Sequence, residues 1–150
     1  MLERGSVAEA AAFLAAVPHA SGQHYALADR SGVAGYECSA AGAVRSDTQA
    51  GRFCHTNHPL RSTDVHADRD PDGAPDSHAR LAAIEAVAPG IGAGADAERA
   101  LADRETPLCV IAEPGRPWLT FGSISAELGR TSRVRIAPGP PDRTDWLDVL

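Results

Sequence analysis

The stretch QHYALADRSGVAGYEC, residues 23–38, carries the architecture of this chain. Two short runs, Tyr25 to Asp29 and Val33 to Cys38, flank a turn at Arg30, Ser31 and Gly32, which is the pattern of a β-hairpin. A third run at Ala43 to Arg45 and a fourth at Phe53 to Asn57, parted by the polar Ser46 to Gly51, extend it into an antiparallel meander. The fourth run falls within RFCHTNHPL, residues 52–60, where most of the distinctive polar chemistry is gathered.

Before the hairpin, Ser6 and Glu9 form a capping box: the hydroxyl is expected to accept from the third helical N–H, and the carboxylate to reach back to the Ser6 N–H. Val7, Ala10, Ala11, Leu14 and Val17 recur at helical spacing, and Pro18 ends the run. Beyond the meander, Arg61 to Pro75 is acidic and rich in Pro and Gly, as an exposed loop would be. Asp76 or Ser77 is expected to cap a helix carrying Leu81, Ile84 and Val87 until Pro89, and Asp96 a third, short helix through Leu101. Strands follow at Leu108 to Ala112, Trp118 to Ile124 and Arg133 to Ile136, with turns at Pro114–Gly115 and near Gly129. Two antiparallel sets with helices between them make an α+β domain rather than a βαβ parallel sheet, and a single domain is expected over residues 1–150.

Composition narrows the partners. All 14 basic residues are arginine against 20 acidic ones, a formal charge of -6, which argues against broad contact with nucleic-acid phosphates or anionic membranes. Aromatics reach only 5%, so small side chains must pack closely in place of large anchors. Three cysteines without paired spacing do not make a disulfide framework, and the expected compartment is the cytoplasm. The apolar run Ala10 to Val17 lacks the basic flank of a signal sequence, and no segment has the length of a membrane span.

Cys54, His55 and His58, with Asp64 and His66 nearby, invite a zinc reading. On a strand, however, His55 and His58 point to opposite faces, and Cys54 lies roughly 13 Å from His58 at the usual rise per residue. No metal site is expected. Asp68, Asp70, Asp72 and Gly73 imitate the start of a calcium loop, but Ala79 stands where the bidentate glutamate belongs, so a solvated acidic loop is the better reading. Cys38, Cys54 and Cys109 each sit in or beside a predicted strand without a clear activating partner, and structural roles suit all three. What remains for residues 52–60 is hydrogen bonding from two faces, His55 and Asn57 on one, Cys54, Thr56 and His58 on the other. An asparagine amide at a strand end can donate to a developing oxyanion. It can equally cap the turn before Pro59, and the sequence leaves both open.

The succession PHASGQHYALADRSGVAGYECS, FCHTNHPL, DSHARLAAIEA, PLCVIAEPG, WLTFGSISAEL and IAPGPP resembles the C-terminal half of the acyl-coenzyme A:6-aminopenicillanate acyltransferase family, from about Ser6 to Pro141. These are self-processing N-terminal-nucleophile cysteine hydrolases. The resemblance implies a partial αββα sandwich with antiparallel sheets, amide hydrolysis or acyl transfer, and an oxyanion role for Asn57. The neighbouring His55, Thr56 and His58 are expected to bind the substrate, and no cofactor is expected. It also exposes a departure, because the family's nucleophile follows a glycine, whereas Cys38 follows Glu37, Cys54 follows Phe53 and Cys109 follows Leu108. The nucleophile is thus unassigned. The expected function is an amide hydrolase or acyltransferase whose nucleophile half comes from a separate polypeptide, acting on a small acyl amide or thioester. The alternative is an inactive remnant or a binding domain of the same fold.

Overall fold

Asp29, at the tip of the predicted hairpin, shows how the first part of the chain is assembled. In the computed structural model, which describes residues 3–46, 52–64, 75–115 and 119–150, strands β1 (Gln23–Asp29) and β2 (Gly32–Ser39) pair antiparallel with Asp29 opposite Gly32. The Asp29 carboxylate accepts from the Ser31 N–H at 2.7 Å and the Gly32 N–H at 3.2 Å, closing the two-residue turn. Gly32 takes φ +156, a region that disfavours any side chain. The second Asp29 oxygen accepts from the Val7 N–H at 2.7 Å, tying helix α1 (Val7–Ala16) to the hairpin. A hydrogen bond from the Ser31 hydroxyl, together with these backbone bonds, holds the Asp29 carboxyl down at about 2.

Helix α1 starts where its capping residues place it. The Ser6 hydroxyl accepts from the Glu9 N–H at 3.2 Å, while the Glu9 carboxylate reaches one residue past the expected partner, to the Gly5 N–H at 2.9 Å. Leu14 is 2% exposed and Ala10 is buried, as are Ala34 and Cys38 of β2. The pleat puts Tyr25, Leu27, Ala34 and Cys38 on one face of the sheet, since Leu27 pairs with Ala34 and Gln23 with Cys38. Asp29 belongs to that face and holds α1, and the Tyr25 ring lies against His19 just beyond the helix. Strand β3 (Gly42–Arg45) pairs with the other edge of β2, giving the order β1-β2-β3.

The meander stops there. Phe53 to Asn57 is not a fourth strand: among the described residues it joins no ladder and crosses the open face of the sheet instead. Phe53 meets the His24 ring edge-on, and His55 stacks on it, so side-chain contacts to the face of the sheet replace backbone pairing at its edge.

The chain divides into two units, Met1–Pro75 and Asp76–Leu150. In the second, helix α2 (Pro75–Val87) begins on a proline, where a missing N–H costs nothing, and runs into a 3-10 turn at Ala88–Gly90. Helix α3 (Gly94–Ala102) is opened by Asp96 from inside its first turn, the carboxylate accepting from the Gly92 and Ala93 N–H groups at 3.0 Å each. Strands β4 (Ser123–Glu127), β5 (Arg133–Ala137) and β6 (Leu147–Asp148) form a second antiparallel sheet in that order.

The expected strand at Leu108 to Ala112 is irregular, linked to Thr120 by two bonds: the Thr120 N–H donates to the Val110 carbonyl at 2.8 Å, and the Val110 N–H to the Thr120 hydroxyl at 3.0 Å. One residue pair bonded through a side chain does not propagate a ladder. The strand expected from Trp118 starts only at Ser123, and β6 is a further short strand beyond those expected from the sequence. Trp118 itself, the aspartates of the calcium-like loop and His66 lie outside the described residues. The chain is thus mixed α and β with two small antiparallel sheets, the α+β class expected.

Candidate functional site

Glu37 is the residue around which the open face of the first sheet is built. It stands in β2 directly opposite His24 of β1, so both side chains rise from the same face. Gly35, two residues earlier, shares that face and leaves room for what crosses it. A Cβ there would meet the Ser46 hydroxyl oxygen at 2.9 Å, a Phe53 ring carbon at 3.0 Å and His24 Nε2 at 3.2 Å.

Glu37 is 4% exposed, and four N–H groups surround its carboxylate. Oε1 accepts from His55 Nε2 at 2.9 Å and from the Leu60 N–H at 2.7 Å. Oε2 accepts from the Arg61 N–H at 3.0 Å and the Ser62 N–H at 2.6 Å. Burial alone would raise the pKa of this group, but the three amides and His55 outweigh it and bring it down to about 2. An ionised carboxylate only accepts, so the proton of this bond belongs to His55 Nε2.

The His55 ring lies on the His24 ring with centroids 3.7 Å apart and planes 13° from parallel. His24 Nε2 lies 3.1 Å from the Ser46 hydroxyl. Burial and then the adjacent His55 push the His24 pKa down, and Glu37 partly offsets them. The stack keeps the uncharged form of His24 favoured.

Beside this cluster opens a cavity of about 410 Å³, lined by His24, Glu37, His55, Thr56, Asn57 and His58 among others. Thr56 Oγ1 and His58 Nδ1 are 3.2 Å apart, and Asn57 is exposed. The expectation of two opposed faces therefore needs correction, because a segment that is not a strand has no strict alternation. His55, Thr56, Asn57 and His58 all border one cavity. Among the described residues no three His, Cys, Asp or Glu side chains gather as a metal site would require.

Two of the three thiols, Cys38 and Cys109, are poorly placed for nucleophilic attack. Cys38 is 2% exposed and burial raises its pKa. Cys109, also buried, donates to Asp142 at 3.3 Å, and burial followed by that hydrogen bond keeps its thiol protonated above the ordinary range. Asp142 itself is held below the usual carboxylate range, against the effect of its burial, by hydrogen bonds that include Arg104. None of the three cysteines is in a disulfide.

Glu37 had no place among the expected site residues. Its signal lay in the sequence, since a carboxylate between Tyr36 and Cys38 in an apolar run demands a partner when the run is buried.

No curated protein matches the chain. Residues 1–121 match the family described as Acyl-coenzyme A:6-aminopenicillanic acid acyl-transferase, a span that takes in the capped helix, the hairpin, the HTNH segment and the thiol at Cys109. The chain belongs to that acyl-transferase family.

Proposed function

We propose that this chain forms one wall of an acyl-transfer site, in an amide hydrolase or acyltransferase whose nucleophile a separate polypeptide supplies. Asn57 donates its side-chain amide to the oxyanion of the tetrahedral intermediate, a role worth a few kcal/mol in such chemistry. His55, Thr56 and His58 contact the substrate, a small acyl amide or thioester. The observation that carries this reading is the convergence of those four consecutive residues on one cavity.

Two of the cysteines support the need for a partner half. Buried Cys38 and Cys109 have raised pKa values, the opposite of what an attacking thiolate needs, and no cysteine follows a glycine. The two antiparallel sheets, each with a helix against it, fit a partial αββα N-terminal-nucleophile sandwich. Free cysteines suit the cytoplasm, and among the described residues no helix is long and apolar enough to cross a membrane.

The test is co-expression with the neighbouring upstream reading frame, if that frame encodes a helix-strand segment with a Gly-Cys pair. A stable complex that cleaves members of a panel of acyl amides and thioesters supports the proposal. In it, Asn57→Ala is expected to lower the rate by more than tenfold with folding intact, and an unchanged rate removes Asn57 from the site. Absence of both complex and hydrolysis leaves the alternative, a remnant or binding domain of this fold without catalysis, which the protonated thiols also favour.

A further inference from the structure

We infer that Glu37 is a positioning residue of this site: its one buried carboxylate sets the tautomer of His55 and fixes the turn, Leu60 to Ser62, that closes the segment bearing Asn57. The functional part of this inference rests on the acyl-transfer reading above. The structural part stands on hydrogen bonds alone.

Each Glu37 oxygen already accepts two N–H groups, at distances between 2.6 and 3.0 Å. A carboxylate so occupied has no lone pair left for a proton in transit and no oxygen to offer a cation. General acid or base work and metal ligation are thereby closed to it. Its capacity is orientation. With a proton held on Nε2, Nδ1 is the nitrogen left to accept whenever the His55 ring is uncharged, which is the same service a buried carboxylate performs for an imidazole in acyl-transfer sites generally.

The second grip acts through the chain. Three successive amides converge on one side chain 23 to 25 residues away in sequence, and they lie only three to five positions after Asn57. Phe53 and His55 pin the other end of the segment on His24. Asn57 is therefore carried between two anchored points, and Glu37 serves both, through His55 at one end and through the turn at the other. This substitutes for the ladder that a strand would have supplied.

The experiment is read in the resting full chain. Long-range proton-nitrogen spectra of the imidazoles report the tautomer, and hydrogen exchange reports the amides of Leu60, Arg61 and Ser62. In the unaltered chain His55 is expected as the Nε2–H tautomer with those amides protected. Glu37→Gln, which keeps the shape and places an NH2 against amide donors, is expected to give a mixed His55 tautomer and at least tenfold faster exchange. Glu37→Asp is expected to restore part of both. Unchanged tautomer and exchange in Glu37→Gln overturn the inference. Should that variant not fold, an Nδ1–H tautomer or unprotected amides in the unaltered chain overturn it equally. Failure of the co-expression assay would sink the acyl-transfer reading and leave this result standing.

Discussion

At the scale of single residues, protonation links the site to stability. Glu37 has its pKa lowered to about 2 in the fold, so the stability its ionised form supplies is complete above the ordinary carboxyl range, near 4.5. It is lost as the pH falls from there through about 2. His24 has a lowered pKa as well, which favours its neutral form in the fold. Its contribution is present above 6.5 and declines as the pH falls below that value. Urea midpoints measured from neutral pH downward should therefore fall in two stages. His24→Gln is expected to abolish the first and Glu37→Gln to shrink the second, which Asp29 shares; a single decline unaffected by either would refute the assignment. Gly35 offers a steric counterpart. Gly35→Ala would force apart Ser46, Phe53 and His24, and by the usual cost of overpacking should destabilise the chain by about 1–3 kcal/mol in urea titration.

Elements differ in how openly the sequence announced them. The first helix and hairpin were legible because each carries its own local chemistry: Ser6 and Pro18 bound the helix, and the Arg30–Ser31 turn fixes a register that pairs His24 with Glu37. Ser6→Ala should cost about 1 kcal/mol in unfolding free energy, measured by denaturant titration, since the cap is intact at 3.2 Å. The HTNH segment reads as a strand in sequence for a physical reason. Five residues suffice to suggest alternation but not to supply a partner, and the true partner is a side chain on β2. Leu108 to Ala112 departs from a strand in the same way, since Val110 exchanges both of its backbone bonds with Thr120, one of them through the threonine hydroxyl. Asn57 was found through the family likeness, while Glu37, buried and saturated, had only its unexpected charge in an apolar run to betray it.

For the whole molecule, the second sheet presents an apolar row. Ile124 pairs with Ile136, and Ile136 with Leu147, which places all three on one face. Ile124 is 67% exposed and Leu147 51%, with Phe121 nearby in sequence at 86%. Exposed apolar surface of this kind binds hydrophobic dyes and promotes association. Replacing Phe121 and Ile124 together by serine should lower the fluorescence of a bound naphthalene sulfonate dye and leave the far-ultraviolet circular dichroism unchanged. Equal dye binding in the double variant would show that these side chains do not form the dye site. The formal charge of -6 opposes self-association at neutral pH and fades toward pH 5.4, where light scattering should rise.

The grip of Glu37 on three amides also sets a rule for which substitutions the turn can accept. Because the carboxylate holds peptide N–H groups and never touches the side chains of residues 60 to 62 in these bonds, their identities are interchangeable as far as the clamp is concerned. Proline alone lacks the donor. A saturation library over these positions, sorted by resistance to proteolysis, should therefore be permissive everywhere except at proline, with Arg61→Pro depleted as strongly as any replacement of Glu37 itself.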